Sequence, residues 1–334
     1  MHTTFLKISL IVLFATYSFV AADDEQKKNQ PGRTPTPQAP RVAHPAPPPP
    51  PPPKPATPPP PQAPKPPTPP PKAQIIPPVK SAPQIRQHFE QRKQQFQSKP
   101  IPVPQQQSFK ASLPQRTQGH IQQAAQASDH LKREHPDHDK WFNNDFFEKH
   151  HHHPNYYRDD VNWWRPAPWG NVSGSLPYNW NYPVYYNDQG YPVDMPDYQQ
   201  YYPQPQPLPE PQPLPEQAAP SSTVTYQGNW IPLGVFSVGQ DVSDATKSSA
   251  YFQLAVSTQG TIEGTFYDAA SNQTSPIEGL VDQETQQAAF KFTDIPEMPI
   301  MTTGVFNLTQ PVALVQVQFP DGQVETWTFV RVNQ

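Results

Sequence analysis

The chain contains no cysteine, and all 11 of its histidines lie at or before His153. Its last third, Ser222 to Gln334, therefore has no imidazole to act as general base or zinc ligand and no thiolate nucleophile. Serine triads and zinc hydrolysis are excluded there, no catalytic residue is assigned, and no cofactor is expected. Glycine is scarce as well, at 13 residues, against 52 prolines and 34% hydrophobic residues in 334. That composition leaves too little apolar surface for one core running the whole length.

Long apolar runs are absent beyond the first 22 residues. There the pattern is that of a secretory signal: Lys7 closes a basic start, Ile8 to Phe14 form the apolar run with a softer continuation to Val20, and Val20-Ala21-Ala22 precede Asp23-Asp24-Glu25. The run is shorter than the roughly 20 residues that span a bilayer. The expectation is a signal peptide at 1–22 and an exported protein of the periplasm, outer envelope or extracellular space, with no transmembrane helix after cleavage. Small secreted animal domains rely on disulfides, so the missing cysteines favour a bacterial envelope or secreted protein. Three glycosylation sequons (Asn171, Asn272, Asn307) keep a eukaryotic source open.

The net charge of −4 conceals an asymmetry. Asp23–Lys140 carries 17 Lys/Arg against 8 Asp/Glu, a net of +9, whereas Trp141–Gln334 carries 6 against 20, a net of −14. Opposite halves of this kind face different partners. The basic half spaces its charges singly among prolines, which does not suit nucleic acid; an anionic envelope polymer is the expected partner of this stretch.

Composition divides the chain into a Pro/Gln-rich basic disordered stalk at 23–140, an aromatic-rich segment at 141–202, a Pro-rich hinge at 203–221 and a β domain at 222–334. Residues 31–83 hold 26 prolines in 53 positions, which dictates polyproline II reaching roughly 160 Å if extended. Within 84–135, Ile85, Phe89 and Phe96, then Ile121, Ala124, Ala125 and Leu131, form stripes that predict only transient helices. Residues 141–202 carry 18 aromatics without strand or helix periodicity. Two uses suit them: an adhesive surface for a protein or glycan partner, with Trp163, Trp164, Trp169, Tyr185 and Tyr186 as binding candidates, or an irregular arm packed on the β domain. The run His150, His151, His152 and His153 is a weak candidate for a transition metal, since no fixed backbone preorganises it. The repeat Pro-Gln-Pro-Leu-Pro-Glu in 203–216 marks the hinge.

From Tyr226 onward, short strands separated by turns predict an antiparallel eight-stranded meander closed into a small barrel, with a β-sandwich as the alternative. Strands are expected near 231–238, 249–256, 260–267, 276–281, 287–293, 300–307, 313–319 and 323–332. Phe252, Leu254 and Val256 share a face, as do Phe290 and Phe292, and Val315, Val317 and Phe319. About 110 residues suffice for independent stability without disulfides.

Asn229–Phe236 (NWIPLGVF), Tyr251–Asp268 (YFQLAVSTQGTIEGTFYD), Pro276–Phe290 (PIEGLVDQETQQAAF) and Trp327–Val332 (WTFVRV) resemble a module of uncharacterised exported bacterial proteins. Some of these are labelled protocadherin-like cell-surface proteins, and a Tyr/Trp-rich segment with Tyr-Tyr pairs precedes their module. The W-x-P-L-G-V-F stretch at 230–236 is the most specific part of a likeness covering about the last half of the chain. The resemblance implies an exported, surface-associated protein and supplies no catalytic residues.

Residues and resemblance together point to a non-enzymatic envelope or cell-surface protein, a stalk carrying a β head. A small-ligand-binding barrel is the alternative, and a polar interior cavity would favour it. A carboxylate-based glycoside hydrolase would need a cleft uniting two of Glu263, Asp268, Glu278, Asp282, Glu284, Asp294, Glu297, Asp321 and Glu325.

Overall fold

The structure is a computed structural model and describes residues 76, 78–200, 229–293 and 297–333. All of these fall in one compact unit, Lys72–Gln334. The expected signal peptide, the polyproline stretch up to Ile75 and the whole hinge at 203–221 lie outside the described residues.

Eight strands form a closed antiparallel barrel: β3 (Trp230–Gly239), β4 (Ala250–Ser257), β5 (Thr261–Asp268), β6 (Gln273–Val281), β7 (Gln287–Phe292), β8 (Ile300–Gly304), β9 (Val312–Gln318) and β10 (Val324–Val332). Each strand pairs with its neighbours in sequence, and β10 closes on β3. Closure leaves no edge strand to template aggregation. The barrel is the one the strand pattern leads to expect, rather than a sandwich.

Register sets which side chains point inward. Phe252 sits opposite both Phe236 and Phe266, Gly279 opposite Phe290, and Ala313 opposite Phe329. Inside, the rings of Phe252 and Phe329 lie 5.0 Å apart, and Phe290 and Phe236 each stand 6.1 Å from Phe329. Leu254, Val256, Ile262, Met301, Val315 and Val317 complete this interior at 0% exposure. A side chain lining a water-sized void would keep accessible surface, so this part of the barrel is filled.

At one end of the barrel, β3 bulges between Pro232 and Gly234. Gly234 has φ +110, and a Cβ there would stand 3.0 Å from Arg331 Nη1. Glycine is needed on both counts. Arg331, 5% exposed, donates from Nε to the Gln310 carbonyl at 3.2 Å, from Nη1 to that of Leu233 at 2.9 Å, and from Nη2 to that of Leu308, with its guanidinium 5.0 Å above the Phe236 ring. The side chain ties β10 to the bulge and to the 3-10 turn Asn307–Thr309.

The outer face of the barrel is covered by residues that precede it in the chain. Helix α1 (Ala82–Ser98) packs Ile85 and Phe89 on Ala289. Helix α2 (Val103–Glu134) lays Ala124, Ala127 and Leu131 against Val235, Val312, Val330 and Val332. Stable helices here correct the expectation of a disordered stalk reaching residue 140. The physical reason lies in the partner surface. A narrow apolar stripe does not hold an isolated helix, but it suffices against an already apolar sheet face, where small alanines allow close approach. Phe96 is indeed half-buried on α1, whereas Ile121 of the expected stripe is 42% exposed.

The aromatic segment continues the covering. Short helices α3 (Asn144–Lys149) and α4 (Trp169–Ser175) and the hairpin β1 (Val184–Tyr186)–β2 (Pro192–Asp194) are joined by irregular chain. Trp141 lies 5.3 Å from Tyr251 and 4.8 Å from Tyr267 on β4 and β5. Asn307 takes the Tyr186 N–H at 2.9 Å and donates to its carbonyl at 2.7 Å, fixing the hairpin beside β8. A further short helix, α5 (Val242–Ala245), bridges β3 and β4.

Candidate functional site

The five aromatic binding candidates are all buried: Trp163 at 3%, Trp164 at 5%, Trp169 at 8%, Tyr185 at 3% and Tyr186 at 2% exposure. Trp163 joins Tyr156, Trp230 and Ala255 in one cluster, and Trp164 donates from Nε1 to the Trp141 carbonyl at 3.3 Å. Tyr186 Oη donates to the Thr285 carbonyl at 2.6 Å, and burial pushes the Tyr185 hydroxyl pKa up to about 12. These side chains pack the arm onto the barrel, the second of the two uses open to them. A partner could stack on them only by displacing the arm. Their aromatic bulk, read from sequence as sticky, is consumed by the chain's own outer barrel face.

The four histidines of the run are splayed. His150 lies on the Phe146 ring, 4.2 Å between centroids, with Nδ1 2.8 Å from the Phe146 carbonyl. His151 is exposed at φ +51, while His152 and His153 line a cleft. Among the described residues, no three histidine or acidic side chains converge as metal ligands. The backbone turn at 150–153 separates the rings that proximity in sequence brings together.

That cleft brings Lys80, His152, His153, Glu263 and Glu278 together. It has a volume of about 280 Å³ between the incoming chain (Pro78, Val79, Lys80), the histidine turn and strands β5 and β6. Glu263 and Glu278 are direct cross-strand partners and both line it. Two of the acids weighed for a hydrolase therefore do meet in one cleft. Their bonding describes their role. Glu278 Oε1 accepts the Ser81 N–H at 2.8 Å and the Ser81 hydroxyl at 2.5 Å, and Oε2 accepts the Lys80 N–H at 3.0 Å. Ser81 is the N-cap of α1, so this carboxylate supplies the cap that the helix's own side chains do not, and pins the helix start to β6. Glu263 Oε1 takes the Asn155 amide at 3.2 Å. Burial pushes the Glu263 carboxyl above its ordinary range, against the Asn155 side chain and the Asn155 and Tyr156 backbone N–H groups, which pull it down. Both acids are latches between barrel and jacket.

Beside them, Lys291 pairs with Glu278 across β6 and β7, donates to Gln84 Oε1 of α1 at 3.1 Å, and has its pKa lowered by burial. Tyr156 is fully buried, with Oη against Gln253 and 2.9 Å from Thr265 Oγ1 on the outer faces of β4 and β5; burial pushes this hydroxyl up. His88 of α1 is 4% exposed, with Nε2 2.7 Å from Thr302 Oγ1 of β8. Sequence reasoning weighed Glu278 only among the possible hydrolase acids and gave Tyr156 and His88 no role. Each needs a partner once buried, but His88 and Tyr156 stand in polar stretches of sequence that give no sign of that burial.

No family model, curated protein or solved structure matches the chain.

Proposed function

We propose that this chain is an exported, non-enzymatic protein of the cell surface or envelope, in which a basic proline-rich stalk carries a barrel head that interacts with envelope polymer or protein partners. The observation that carries the reading is the fate of the head's polar residues. Glu263 and Glu278, the two acids that share a cleft, are spent on holding the preceding chain around the barrel, as is His88 of that chain on Thr302, and the phenylalanine-filled interior leaves a ligand nothing to enter without displacing Phe252, Phe290 and Phe329. The signal-like first 22 residues, the absence of cysteine and the likeness to exported surface proteins support the location. Basic residues spaced along the polyproline stretch suit an anionic polymer, and exposed Tyr182 is an aromatic that a protein or glycan could still reach.

Fractionating cells that express a C-terminally tagged chain tests this directly. The tag should appear in the envelope or medium with the first 22 residues removed, and recovery in the cytoplasm would sink the proposal. A hydrolase reading keeps one supporting observation, the Glu263–Glu278 pair in its cleft. It would be revived by turnover of a glycan that Glu263→Gln abolishes while leaving the fold intact.

A further inference from the structure

One aromatic surface of the arm is built rather than merely left over. Trp180 stacks on buried Trp169 with centroids 5.7 Å apart and planes 5° from parallel, and Tyr178 leans on it at 5.2 Å. The Trp180 indole is fixed by donation from Nε1 to the Gln283 carbonyl at 2.9 Å, in the β6–β7 turn. Tyr178 Oη sits over the β4–β5 turn, 3.5 Å from the Gln259 carbonyl, and a Cβ on Gly260 would meet that oxygen at 2.3 Å. The result is a rigid ledge spanning two hairpin turns at one end of the barrel, with exposed Asn179 and Asn181 flanking Trp180.

The ledge lies between the two points where chain passes out of and back into the described structure. On one side, Tyr198, just before residue 201, packs on Phe306 at 5.6 Å, and Phe306 touches Trp169 at 5.3 Å. On the other side, the Asn229 carbonyl accepts the Thr258 N–H at 2.7 Å, one residue from the Gln259 carbonyl beneath Tyr178. The chain between these points contains the tandem Pro-Gln-Pro-Leu-Pro-Glu repeat of 203–216. Proline-rich strands preset in polyproline II dock on aromatic surfaces with little ordering cost. They present carbonyls and few N–H groups, which suits the Asn179 and Asn181 amide donors.

We propose that the Trp180–Tyr178 ledge is the docking site of the chain's own 203–216 repeat, held as a polyproline II strand in cis. The proposal goes beyond the cell-surface reading and stands without it. Attachment at both sides of the ledge gives the repeat an effective concentration in the millimolar range, which a second copy reaches only in concentrated solution.

The test uses the full chain labelled with 5-fluorotryptophan, the Trp180 resonance being assigned with Trp180→Phe. Replacing residues 203–216 by a Gly/Ser stretch of equal length should shift the Trp180 resonance while leaving those of Trp141, Trp163 and Trp327 in place. Adding the synthetic peptide PQPLPEPQPLPE to this variant should restore the shift, and the peptide should bind the unmodified chain about tenfold more weakly because the ledge is already filled. An unmoved resonance overturns the proposal, as does a shift that the peptide fails to restore. A Trp180 resonance in the unmodified chain that changes on dilution also overturns it, by assigning the contact to a second copy.

Discussion

Arg331→Met isolates the tie that closes the barrel's end. The guanidinium reaches three backbone carbonyls, that of Leu233 in β3 and those of Leu308 and Gln310 in the turn between β8 and β9. Methionine fills comparable volume and keeps contact with the Phe236 ring, so the loss is electrostatic rather than a cavity. Removing the donors leaves three buried carbonyls unpaired at about 1–3 kcal/mol each, partly offset because a buried cation no longer has to be desolvated. The expected destabilisation is about 3–5 kcal/mol, or roughly 10 °C in Tm for a unit of this size. Arg331→Lys should recover less than half of it, because a single ammonium cannot span the fork that three separated carbonyls define. Urea unfolding followed by far-UV circular dichroism reads both variants. A loss below 1 kcal/mol for Arg331→Met, or a lysine variant as stable as the parent, would refute the reasoning.

Other expectations follow from the latches. Burial holds His88 neutral, with its pKa lowered to about 4, whereas the unfolded chain takes up the proton near 6.5. Stability is therefore full above pH 6.5 and falls as pH drops through 6.5 toward 4, by up to about 3 kcal/mol; His88→Asn should flatten that part of a pH series of urea midpoints, and an unchanged slope would contradict it. Glu278→Ala removes three acceptor contacts at the start of α1 and should cost about 1–3 kcal/mol, with hydrogen exchange in Ile85–Phe89 accelerating more than in β10. Equal acceleration in both segments would show that Glu278 does not act locally. Tyr156→Phe leaves Gln253 and Thr265 without their buried hydroxyl partner and should cost about 1–3 kcal/mol by thermal unfolding, against no change if the arm is not anchored there.

The barrel was legible because its interior alternates. Phe252-Gln253-Leu254-Ala255-Val256 and Phe290-Lys291-Phe292 read as strands, and their turn residues set the ends to within a few positions. The strand expected at 300–307 ends at Gly304, because Asn307 turns aside into a 3-10 turn to hold Tyr186. The jacket was not legible from its own residues, since α1 and α2 carry stripes too narrow to stand alone. Its trace lies instead in the barrel strands. Trp230–Val238 is buried along its length, with Pro232 and Ser237 as its non-hydrophobic side chains besides glycine, and Tyr251, Ala255, Val330 and Val332 face outward although apolar. A sheet that is apolar on both faces must be covered. Read that way, the aromatics of 141–200 lose their character as an adhesive surface, and the independent β domain expected at 222–334 becomes a barrel that shares its outer core with the chain before it.

Native-state hydrogen exchange on the intact protein tests that shared core most directly. Amides of α2 between Leu113 and Leu131 should exchange with the same protection as those of β10, because both open only when the whole unit unfolds. Exchange of the α2 amides within seconds beside a protected barrel would contradict it, and would return residues 78–140 to the status of a stalk.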